Sequence, residues 1–130
     1  MRFGYTILYV DDVPATIDFY ERAFGLDRRF VADDATYGEL ETGETTLAFA
    51  QHALAGSSIT GGYRSNTLAE PPPGLEIGFV TEDVAAAFER ALAAGATALT
   101  APKTKPWGQT VAYVRDLDGM LVEICTPVGE

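Results

Sequence analysis

Glu123 and Cys125 stand two residues apart in the apolar run Leu121-Val122-Glu123-Ile124-Cys125. In a strand that spacing puts carboxylate and thiol on one face. The carboxylate there serves as a hydrogen-bond acceptor or a general base. The thiol is a nucleophile only beside a base in an electropositive setting, and is otherwise a buried, inert side chain. The chain has a single histidine, His52, which follows Thr46, Ala48 and Ala50 at period two and so shares a face with Ala48. It offers acid–base chemistry near neutral pH or a ligand contact. The plainer reading is a partly solvated strand end, because one histidine without a second ligating partner carries little chemistry.

The aromatic residues form a second group. Tyr5 and Tyr9 alternate with Ile7 on one face of the first apolar run, and Tyr63, Phe79, Trp107 and Tyr113 are further candidates for the same cavity. An apolar, aromatic pocket suits flat organic molecules. Phe19, Tyr20, Phe24 and Phe88 fall at helical spacing and read as core. Arg64, Lys103 and Lys105 are candidates to meet an anionic ligand group, although solvated surface charge is the usual role of such lysines.

The elements that must position these residues repeat. Phe3–Val10 reads as a strand. Asp12 is a good N-cap, followed by Pro14 in the first turn and by Val13, Ile17, Tyr20 and Phe24 on one helical face, with Gly25 as the stop. Strands are expected over 26–32, 36–41 and 45–51. The second half repeats the order: a strand over 75–80, a helix capped by Asp83 and stopped by Gly95, and strands over 96–100, 109–114 and 121–126. Asp12-Val13 matches Asp83-Val84 at a shift of 71, and Gly25 matches Gly95 at a shift of 70, which points to two copies of one supersecondary unit. Between them, 53–74 is rich in Gly, Ser and Pro and reads as a long irregular connection, either a tether or a cover for a site.

The 130 residues suffice for one domain with its own core. With 9 Lys and Arg against 19 Asp and Glu, the net charge is −10, a field that repels nucleic acid and anionic membranes. A lone cysteine and a lone histidine exclude a structural zinc site. The absence of a long apolar run and of a signal-peptide pattern makes a cytoplasmic location the expectation.

Several segments in this order carry a family resemblance: Tyr9-Val10-Asp11-Asp12-Val13, Asp18-Phe19-Tyr20, Phe24-Gly25-Leu26, Phe79-Val80-Thr81-Glu82-Asp83-Val84, Ala93-Ala94-Gly95-Ala96, Pro106-Trp107-Gly108-Gln109, and 114–124 with Asp116-Leu117-Asp118-Gly119 at its centre. Over nearly the whole chain the sequence resembles the vicinal oxygen chelate superfamily, which includes glyoxalases, bleomycin resistance proteins and extradiol dioxygenases. The resemblance implies an α+β fold in which tandem βαβββ modules form a curved mixed sheet around a cavity. It implies one domain over 1–130, with modules at 1–52 and 75–130 and a linker at 53–74, and a homodimer.

Catalytic members of that family hold a divalent metal by two ligands from each module, commonly His and Glu. Carried onto this chain, those positions fall on Tyr5, Ala48, Leu75 and Glu123, and only Glu123 is of the right chemical type. Glu76 is the neighbouring carboxylate that a one-residue slip would bring in. The expectation is therefore no cofactor, the alternative being a divalent metal ion. The expected function is metal-independent binding of a small aromatic or hydrophobic compound, with Tyr5, Tyr9, Ala48, Tyr63, Leu75, Trp107, Tyr113 and Glu123 as ligand-binding residues. The alternative is a metal-dependent lyase, isomerase or dioxygenase with an atypical site using Glu123 and His52.

Overall fold

The computed structural model describes residues 1–129, in two compact units. The first comprises 1–21 and 25–66, and the second comprises 22–24 and the chain from Thr67 onward. The elements are β1 (Tyr5–Val10), α1 (Val13–Phe24), β2 (Asp27–Val31), β3 (Tyr37–Glu41), β4 (Thr46–Gln51), α2 (His52–Gly56), β5 (Ile77–Val80), α3 (Val84–Ala93), β6 (Thr97–Thr104), β7 (Thr110–Arg115) and β8 (Leu121–Cys125). The fold is α+β, with two separate four-stranded mixed sheets of order β1-β4-β3-β2 and β5-β8-β7-β6. In each, the first strand lies parallel to the last and the others pair antiparallel.

The helix ends follow the expected chemistry. The Asp12 side chain accepts from the Ala15 N–H at 3.0 Å, and the Asp83 side chain accepts from the Ala86 N–H at 3.0 Å. Gly25 closes α1 at φ 70°, a left-handed conformation that glycine adopts without strain. Two expectations need correction. Part of the connection after β4 is the short helix α2, built from His52-Ala53-Leu54-Ala55-Gly56. It has no side-chain cap and is too short to leave a periodic signature. Strand β6 runs on through Pro102 and Lys103 to Thr104 with register shifts on the way, and a bulged strand admits proline.

Each sheet buries one face against helix. In the first unit Leu8, Val10, Leu40 and Phe49 are buried. Phe49 meets the Tyr20 ring of α1 with centroids 5.0 Å apart. In the second unit Val122, Ile124, Val114 and Phe88 are buried, and Phe79 lies against Phe24 with centroids 4.7 Å apart. The remaining faces carry the polar and exposed aromatic residues.

Candidate functional site

In the second unit the free face centres on Glu123. Tyr113 on β7 and Gly78 on β5 are its register partners on either side. The Tyr113 hydroxyl donates to Glu123 Oε1 at 2.9 Å. Glu76, two residues before Gly78, points to the same face and lies close enough to Glu123 to feel its charge. Like charge between neighbouring carboxylates disfavours ionisation. Burial, and then the negative Glu123, accordingly pushes the Glu76 carboxyl above its usual range. Burial, reinforced by Glu123, pushes the Tyr113 phenol up to about 12 and the Cys125 thiol up to about 11.

The network continues along β8. Cys125 lies beside both Glu123 and Gln109. Gln109 is buried; its Nε2 donates to the Thr126 carbonyl at 2.9 Å, and its Oε1 accepts from Trp107 Nε1 at 2.9 Å. Trp107 sits in the turn closed by the Gly108 N–H on the Lys105 carbonyl and is 64% exposed. It borders a depression of about 570 Å³ with Gln109, Thr126 and Pro127. A run of polar neighbours therefore leads from an open indole at one end to the two carboxyl groups at the other.

The pKa direction at Glu76 fixes a stability prediction. A carboxyl whose folded pKa lies above its unfolded value stabilises the fold at low pH and loses that contribution as pH rises through the folded pKa. Glu76→Gln abolishes the pH-dependent loss, so the variant melts above wild type at pH 7 and level with it near pH 4. Because the side chain is exposed, the difference is roughly 1–2 °C. Thermal denaturation at the two pH values checks this; a variant that melts lower at pH 7 contradicts it.

The first unit places different residues on its free face. Tyr5, Ile7 and Tyr9 pair in register with Thr46, Ala48 and Ala50. Ala48 is fully buried between Ile7 and Glu39. The buried Glu39 accepts from Tyr37 OH at 2.8 Å and from Arg29 Nη1 at 3.3 Å, and Arg29 is paired again with Glu41 at 2.9 Å. Burial first, then Glu39, raises the Tyr37 phenol pKa. Farther along, the Tyr63 ring lies tilted at 58° against Tyr9 with centroids 4.9 Å apart, and its hydroxyl lies 2.6 Å from His52 Nδ1. His52 Nε2 is 3.4 Å from Asp11.

The structure thus joins Tyr113 to Glu123 and Trp107 to Gln109 in the second unit, with Cys125 beside both groups, and gathers Tyr9, Tyr63 and His52 in a cluster in the first. Leu75 precedes β5 and is exposed, and Glu76 is the residue beside Glu123. Phe79 belongs to the opposite, helix-facing side of β5. Lys103 pairs in register with Val111, and no ion pair joins Glu76 or Glu123 to a lysine or arginine among the described residues. Three participants escaped the sequence reading: Gln109, Glu39 and Arg29. The repeat itself locates Glu76, since the shift of 71 that aligns Asp12 with Asp83 also carries Tyr5 onto Glu76.

This donor set does not fit the four-ligand metal site that the resemblance implies. Tyr5 and Ala48 occupy the first unit's positions, and only Glu76 and Glu123 are hard anionic donors. Within either unit taken by itself, no three His, Cys, Asp or Glu donors gather among the described residues.

Comparison with known proteins agrees with the fold. The model of the Glyoxalase/Bleomycin resistance protein/Dioxygenase superfamily matches residues 2–124. Uncharacterized proteins of Mycobacterium bovis and Mycobacterium tuberculosis are each 30% identical over 132 residues; both alignments cover 95% of this chain, and they cover 82% and 73% of those proteins. A glyoxalase-related enzyme from Fulvimarina pelagi superposes with a TM-score of 0.83 at 23% identity, covering 99% of this chain and 93% of that one. A glyoxalase/bleomycin resistance protein/dioxygenase family enzyme from Burkholderia phytofirmans gives 0.71 at 22% identity, covering 95% and 96%. These likenesses to solved structures concern the fold.

Proposed function

The chain belongs to the glyoxalase/bleomycin resistance protein/dioxygenase superfamily, and from that premise we propose that it binds a small aromatic compound at the Glu123 face of its second unit without a metal ion. One observation carries this reading: of the four positions that the resemblance assigns to metal ligands, Tyr5, Ala48 and Leu75 offer no carboxylate or imidazole donor, and the fourth, Glu123, is engaged by Tyr113 and has Glu76 as its neighbour. A paired carboxyl presents both a donor and an acceptor to an organic ligand. The exposed Trp107 face supplies a stacking surface at the far end of the network. Tyr5 and Tyr9 on the first unit's free face extend the aromatic character of the reading.

The chain's one tryptophan makes the test direct. Titration with flat aromatic amines and phenols in the presence of chelator is expected to change Trp107 fluorescence saturably, with equal affinity when the chelator is omitted. Trp107→Phe retains binding, and Trp107→Ala, followed by calorimetry, weakens it by more than ~1 kcal/mol. Binding that requires added Mn, Ni, Zn or Fe overturns the reading.

A second reading, an acid–base enzyme, is favoured by the same pair. Glu76, its carboxyl pushed above the usual range, stands beside Glu123, so two carboxyl groups of different character are available for acid–base work at one place. Turnover of a bound compound that disappears in Glu76→Gln while binding persists selects it. The homodimer is part of the proposal and is checked by sedimentation equilibrium. No helix among the described residues is long and apolar enough to cross a membrane.

A further inference from the structure

We propose that the second unit carries a separate small-molecule site on the helix side of its sheet, and that this site takes an organic monocarboxylate with an apolar body. A cavity of about 350 Å³ lies there, within the size range of small-molecule sites. Phe24, Phe79 and Ile124 form its apolar surface, and Ala86 and Ala87 of α3 leave the space open because nothing extends beyond their Cβ atoms. The Phe24 and Phe79 rings, inclined at 36° with centroids 4.7 Å apart, give a rigid aromatic wall.

Arg90 stands one turn beyond Ala86 and Ala87 and lines the same cavity. Its Nε donates to the Arg22 carbonyl at 2.8 Å, which fixes the plane of the guanidinium. Among the described residues its two terminal nitrogens make no hydrogen bond and no ion pair. That leaves the end of the fork, the edge that grips a carboxylate with two parallel bonds. Elsewhere a chain of net charge −10 repels anions, so a fixed cation over an apolar floor selects an amphipathic one.

Asp83 limits the charge that the ligand carries. It lines the cavity seven residues before Arg90, about 10 Å away along the helix. Its carboxylate is held as the N-cap on the Ala86 N–H. A second carboxylate at the far end of a ligand would meet it with like charge, so the site favours monocarboxylates over dicarboxylates.

The test is a titration of the ¹⁵N-labelled full chain with 3-phenylpropionate, with 3-phenylpropanamide as the neutral isostere. The expected result is saturable shifts at Phe79, Thr81, Ala86, Ala87 and the Arg90 Nε–H, with the carboxylate bound at least about tenfold tighter than the amide. Arg90→Gln brings the acid down to the affinity of the amide, whereas Arg90→Lys retains part of the difference. Ala87→Leu fills the space and removes both ligands with the Arg90 side chain intact. Equal affinity for acid and amide, shifts confined to Trp107, Tyr113 and Glu123, or no saturable shift up to about 10 mM would each overturn the proposal.

Discussion

Gly119→Ala is expected to destabilise the second unit by about 3–5 kcal/mol, the sum of two costs. Gly119 has φ 93°, where a side chain is strained. A Cβ there would also lie 2.8 Å from Arg115 Nη2 and 2.9 Å from the backbone carbon and oxygen of Thr67. The backbone cannot yield cheaply, and the arginine is already committed. The buried Arg115 donates from Nε to the Gly119 carbonyl at 2.9 Å and from Nη2 to the Thr67 carbonyl at 3.0 Å. Moving it leaves buried polar groups unpaired. Urea denaturation should show a lower midpoint with an unchanged slope. Gly78→Ala is the control: its Cβ would meet only Glu123 Oε2, at 3.9 Å. It should be near neutral or slightly stabilising, because glycine weakens a strand. Equal effects at the two positions would contradict the account.

Removing the negative charge with Glu123→Gln is expected to release three neighbours together. The Tyr113 phenol, held at about 12, and the Cys125 thiol, held at about 11, both fall. Glu76 returns toward the ordinary carboxylate range. None of the three recovers completely, since burial is the leading cause for each and the substitution leaves it in place. Lowering the thiol pKa by one unit raises the thiolate fraction about tenfold at any pH well below it. Alkylation of Cys125 at pH 9 should accelerate by about that factor. The ¹³Cζ signal of Tyr113 should titrate at lower pH than in wild type. An unchanged titration of both groups would show that Glu123 does not govern this face.

The fold was readable because local chemistry and long-range pattern agree. Asp12 and Asp83 cap the helices they announce, and the period-two runs became strands within a residue or two of the expected limits, except β6, which runs on to Thr104. The site was harder to read, for a reason visible at β5. Leu75, Ile77 and Phe79 form the apolar alternation, which suggested a cavity face. Phe79 instead packs on Phe24, since the hydrophobic gain belongs to the side covered by helix. The exposed side is left with Glu76, Gly78 and Val80. Alternation shows that a strand has two faces but does not say which one the helix covers. Glu39 was missed for a related reason: a buried carboxylate is tolerated only with partners. Its partner Arg29 lies on a neighbouring strand, at a bulge that no sequence period records.

The strand order also sets a sequence of events in time. In each unit the antiparallel meander (β2-β3-β4, or β6-β7-β8) joins neighbours in the chain, and such local pairings close quickly. The parallel partners β1 with β4, and β5 with β8, come from opposite ends of their units, so their pairing must wait for a large loop to close. On the ribosome the strand made first in each unit is the last to find its place. Glu76 and Glu123 belong to the late pair in the second unit, so their carboxyl groups meet only when that unit is otherwise assembled. A folding intermediate that lacks β5 would therefore have nearly all of its sheet and none of the paired-carboxyl chemistry.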